Sequence, residues 1–109
     1  MCRALKVLCV AQDPEVLRAL KLATASADWE LAPGAITERD ALAQLEDERP
    51  HVVVVFGEFP GFVARARTGY PGLRIVVDRD LPGATVVATS MAEVRDLVKA
   101  SPRPGGPVG

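Results

Sequence analysis

Residues able to do chemistry are few in this chain of 109. The one histidine, His51, stands beside Pro50 with no cysteine or carboxylate at metal-ligand spacing, so it reads as a surface or capping residue. Two cysteines, Cys2 and Cys9, are too few for a disulfide framework, and Cys9 lies inside an apolar run, as a free buried thiol would. No GxGxxG, Walker A, GxSxG, HExxH or CxxC pattern occurs, so no motif supports an enzymatic activity. The other polar groups worth weighing follow apolar runs: Gln12 and Asp13 after the first, Glu58 after the third, and Asp78, Arg79 and Asp80 after the fourth. If those runs are parallel strands, these side chains meet at their C-terminal ends, where open α/β sheets bind ligands. Against a residual metal or phosphate role, Asp13 has a plainer reading as a helix N-cap before Pro14, and Asp78 to Asp80 with Glu58 as a solvated loop.

The elements that would position these residues alternate. Residues 7–11 are a short continuous apolar run, the pattern of a strand covered on both faces. Asp13-Pro14 then opens a helix with Val16, Leu17, Leu20, Ala23 and Thr24 on one face, ending at Ser26 to Asp28. Residues 29–36 form a weaker strand, interrupted by Pro33 and Gly34 and therefore placed at a sheet edge. Thr37 to Asp40 resembles a capping box and begins a helix with Ala41, Leu42 and Leu45 inward. Val52 to Gly57 is the most β-branched run and the expected central strand. A two-turn helix over 62–68, a strand over 73–77, a strand over 85–88 and a capped helix from Ser90, with Met91, Val94, Leu97 and Val98 on one face, complete the order. Residues 1–98 are thus one three-layer α/β domain with an open, five-stranded, mostly parallel sheet, and 99–109 are a Pro/Gly-rich linker or tail. Residues 78–84 cannot hold a crossover helix, so the fifth strand either runs antiparallel to the fourth or is reached by an extended crossover.

Composition narrows the class further. Hydrophobic residues are 49% and charged residues 25%, which fits one globular domain and excludes disorder. Thirteen basic against fourteen acidic residues give a net charge of -1, which disfavours nucleic acid and anionic membrane as partners. The run 7–11 is too short for a signal peptide or a membrane span, so a cytoplasmic protein is expected. Phe59, Phe62 and Tyr70, beside the loop after the third strand, are the candidate apolar contact patch, with core packing the rival reading for Phe62.

Several phrases resemble, in order, the receiver domains of two-component response regulators. Residues 6–14 (KVLCVAQDP) resemble the first strand and acidic turn, and Ala35 with Ala41-Leu42 the second strand and helix. Residues 50–61 (PHVVVVFGEFPG) resemble the third strand and Met-Pro-Gly loop, 70–77 (YPGLRIVV) the fourth-strand entry, and Gly83-Ala84 the approach to the fifth. The resemblance implies a CheY-like fold from about residue 5 to 98, shortened in the loop after the third strand and lacking the fourth crossover helix.

In that family two carboxylates after the first strand hold Mg²⁺, an Asp ends the third strand as phosphate acceptor, a Thr or Ser follows the fourth and a Lys the fifth. Here those positions fall on Ala11 and Gln12, on Phe56, near Asp78 and near Ser90, leaving Asp13 as the one acid of the first turn. The resemblance is therefore to an atypical, or pseudo-, receiver, with Phe56 as an apolar plug in a degenerate pocket. Such domains also begin TadZ/CpaE-like localisation proteins and their septum-site relatives in actinobacteria, and the Ala-, Arg- and Pro-rich usage suits a high-GC genome. The expectation is a regulatory domain with no enzymatic activity, metal or cofactor, independent of phosphorylation and acting through a protein partner, a linked output domain or a homodimer. The alternative is a small-molecule sensor binding around Gln12, Glu58 and Asp78.

Overall fold

The computed structural model describes residues 5–25, 29–70, 72–79, 86–88 and 90–99. Along the chain lie β1 (Leu5–Ala11), α1 (Pro14–Thr24), β2 (Trp29–Leu31), α2 (Glu38–Glu48), β3 (Val52–Phe56), α3 (Pro60–Gly69), β4 (Arg74–Val77), β5 (Val86–Val87) and α4 (Met91–Lys99). The strands form one sheet in the order β2-β1-β3-β4-β5. Every pairing is parallel, with the β-branched strand β3 at the centre and the interrupted strand β2 at an edge, as their sequences require.

Strand periodicity splits the core into two layers. Leu8, Val10, Val53, Val55, Ile75 and Val77 face one way, onto Ala41 and Leu45 of α2 and Phe62, Val63 and Ala66 of α3. Val7, Cys9, Val52, Val54 and Val76 face the other way, onto Leu20 of α1 and Val94 and Val98 of α4. The helices begin where capping chemistry places them. Asp13 accepts a hydrogen bond from the Glu15 amide at 2.9 Å, Thr37 from Asp40 at 3.2 Å and Ser90 from Glu93 at 3.2 Å.

Three expectations change. The β2 strand is cut to Trp29–Leu31, because Pro33 has no N–H and Gly34 takes φ +92°; pairing resumes only at an isolated bridge between Val10 and Ala35. The third helix starts two residues earlier than its apolar residues show, with Pro60 fitting the first helical turn. For β5, whose direction the sequence leaves open, the pairing is parallel, Val76 with Val86 and Val77 with Val87. The connection over 78–85 reaches roughly 26 Å when extended, about twice the length of the short strand it must retrace. Residues 80–85, the expected helix end at 26–28 and all of the expected tail over 99–109 except Lys99, which ends α4, lie outside the described residues. Among the described residues no helix is long and apolar enough to cross a membrane.

Candidate functional site at the strand ends

Parallel register brings the ends of β1 and β3 side by side, with Ala11 paired to Phe56. Next to them opens a shallow concavity of about 320 Å³, lined by Gln12, Asp13, Val16, Phe56, Gly57, Asp78 and Arg79. The structure thus gathers four of the five residues expected there. Ala11, the fifth, is fully buried and does not reach the surface of the concavity. Phe56 is half-buried and packs on the α1 and α4 side of the core, so one wall of the site is a ring rather than a carboxylate.

Each polar side chain of the concavity has a hydrogen-bond partner, within the concavity or beside it. The Asp13 carboxylate caps α1. The Gln12 side-chain amide donates to the Glu58 carbonyl at 3.4 Å and lies across Gly57. That residue has φ +125°, and a Cβ added there would come within 2.8 Å of Gln12 Cγ, so glycine serves both backbone and close approach. Asp78 Oδ1 accepts from the Gly57 amide at 3.1 Å, tying the end of β4 to the loop after β3. Arg79 donates to Asp78 through Nε and Nη2, both at 3.2 Å, and reaches Glu58 Oε1 at 3.4 Å. The hydrogen bonds that Arg79 donates to Asp78, then the Asp78 charge, push the Arg79 pKa further up, so the guanidinium stays charged.

Two findings follow for the candidate residues. Within the loop residues read from the sequence as solvated, Arg79 bridges Asp78 and Glu58 by exposed ion pairs, a link that only the adjacency of Asp78 and Arg79 signals, while Asp80 lies outside the described residues. The aromatic patch is not a surface: Phe59 is 6% exposed and Phe62 fully buried in the core under α3, leaving Tyr70, at 37%, as the exposed member. Burial wins because α3 begins at Pro60 and turns Phe62 onto the sheet. His51 is remote from the site, its Nδ1 accepting from the Lys6 amide at 3.1 Å at the opposite ends of the strands.

Mg²⁺ asks for several hard oxygen ligands around an octahedron. Ala11 and Phe56 offer none, Gln12 offers a neutral amide and Asp13 is committed to a helix cap, so these residues do not fit the ion. Among the described residues no group of three or more His, Cys, Asp or Glu side chains could hold a metal.

No protein-family model and no curated protein matches this sequence. Its three-dimensional form does have parallels. The Vibrio cholerae chemotaxis protein CheY4 is similar at TM-score 0.74 with 19% identity, over 89% of this chain and 98% of that one. A CheY-like response regulator receiver domain from Methanospirillum hungatei is similar at TM-score 0.73 with 16% identity, over 89% and 92%. An orphan response regulator of H. pylori is similar at TM-score 0.71 with 12% identity, over 88% and 94%. Element order, sheet order and these likenesses together give the chain the α/β fold of response regulator receiver domains.

Proposed function

We propose that this chain is an atypical receiver-like regulatory domain that acts through protein contact, without enzymatic activity and without accepting a phosphoryl group. The observation that carries the reading is the pair Ala11 and Phe56, in register at the strand ends where a receiver needs carboxylates. A benzyl side chain offers no nucleophile. The surroundings support the same reading. Asp78 places a negative charge where a phosphoryl oxygen would need a donor, and Arg79 is held by Asp78 and Glu58 rather than left to meet an anion. The Gly57 amide, bonded to Asp78, links β4 to the loop after β3 through residues of the chain itself.

What remains for such a domain is recognition by shape and surface, through a partner, a second copy or an attached output domain, in the manner of the localisation proteins that begin with receiver-like domains. A small-molecule sensor has less behind it, since the Asp78 and Arg79 side chains bond each other and Gln12 bonds the Glu58 backbone. The test is an amide NMR spectrum of the full chain titrated with Mg²⁺ and beryllofluoride, the acyl-phosphate mimic. An unchanged spectrum is expected; saturable shifts at residues 11–13, 56–58 and 78–79 would overturn the reading.

A further inference from the structure

On the sheet face carrying α1 and α4, the flank of α1 towards β2 holds a second, larger concavity of about 460 Å³. Its lining is Pro14, Leu17, Arg18, Lys21, Leu22 and Ala25 of α1 and its C-cap, with Leu31 of β2. Helical spacing sorts these into two neighbouring rows, Pro14-Arg18-Leu22 and Leu17-Lys21-Ala25, each with apolar ends and a cation in the middle. Leu22 is 71% exposed, more than any other large apolar side chain among the described residues. Among the described residues the lining has no carboxylate, although the chain as a whole is slightly acidic. Lys21 reaches across to the Pro33 carbonyl at 2.8 Å, while Arg18 makes no ion pair among the described residues. Glu30 follows the strand alternation to the other face of the sheet.

We infer that this groove is a docking surface for an acidic amphipathic helix of a partner protein, its leucines entering the apolar ends and its carboxylates meeting Arg18 and Lys21. The inference rests on the reading of the domain as a protein-contact module and names the surface used. A second copy fits poorly. A two-fold pairing of α1 grooves sets Arg18 and Lys21 against their own counterparts. The acidic helix α2 keeps its apolar residues Ala41 and Leu45 inside its own core, with no exposed leucine to offer.

The test uses the full chain, ¹⁵N-labelled, and a fluorescein-labelled helical peptide of Leu, Ala and Glu with leucines at i, i+4 and i+7. A control peptide carries Lys for every Glu. Expected are saturable anisotropy, amide shifts confined to residues 14–25 and 31, and binding of the lysine peptide at least about tenfold weaker. Leu22→Gln and Arg18→Glu, both at exposed positions, should each weaken binding about tenfold while leaving the rest of the amide spectrum unchanged. Absent binding, equal binding of both peptides, or shifts elsewhere would overturn the inference. So would concentration-dependent shifts at residues 14–25 without peptide, which would show a second copy in the groove. None of these outcomes bears on phosphoryl acceptance, and beryllofluoride binding would leave the groove result standing.

Discussion

Phe56 and Asp78 carry the proposed reading at the scale of single residues. On that reading a ring stands at the end of β3 where a receiver has its acceptor carboxylate, and a carboxylate stands after β4 where it has a hydroxyl; in the structure Asp78 accepts a hydrogen bond from the Gly57 amide. Cys9 makes a different point. It is 1% exposed, and burial pushes its thiol from an ordinary 9.0 up to about 11, opposed by a hydrogen bond with Thr24. The folded state therefore holds the proton more tightly than the unfolded chain. The associated stability is complete below pH 9, and about 2–3 kcal/mol is lost as pH rises from 9.0 to about 11. Urea unfolding at pH 8 and pH 11 should show that extra loss in the native chain and not in Cys9→Ala; equal losses would contradict it. The aromatic residues separate in the same way. Phe62→Ala should cost about 3–5 kcal/mol and Tyr70→Ala less than about 1 kcal/mol, measured by the same unfolding, because only the first empties a core position.

Among the elements, those announced by short-range chemistry were legible in the sequence and those settled by distant partners were not. The Asp13-Pro14 start, the Thr37 and Ser90 caps and the run Val52–Phe56 carry local signals, and the structure places all four as expected. The cap of α2 has a measurable share in stability: Thr37→Ala removes the acceptor of the Asp40 amide and should cost about 1 kcal/mol in urea unfolding, with Thr37→Ser close to neutral. The early end of β2 is less visible, since Pro33 and Gly34 mark an interruption without saying on which side pairing stops. After it, Gln44 of α2 holds Gly34 through both its amide and its carbonyl, a contact between positions ten apart that no local pattern announces. The direction of β5 is decided by pairing with Val76 and Val77, which a two-residue strand cannot signal. The site followed the same rule. Gln12, Phe56 and Asp78 were placed by the order of strands, whereas the closure by Arg79 and the groove beside Leu22 depend on how side chains from separate elements meet.

At the scale of the molecule, the two apolar layers over a valine-rich sheet maintain the fold without the charged pocket that a phosphorylated receiver needs. Among the described residues, the carboxylates near the strand ends are engaged, Asp13 as a helix cap and Asp78 and Glu58 with Arg79. Surface chemistry then lies on the flanks: a cationic apolar groove beside α1, and an acidic outer face on α2 with Glu46 and Asp47. A regulatory domain of this kind would be controlled by what binds it or what it is joined to. On the proposed reading its pocket accepts no phosphoryl group, which intact-mass spectrometry of the full chain after incubation with acetyl phosphate and Mg²⁺ reads out. An unchanged mass is expected; a stable gain of one phosphoryl group, mapped by peptide analysis to a carboxylate at Asp13, Glu58 or Asp78, would overturn that reading.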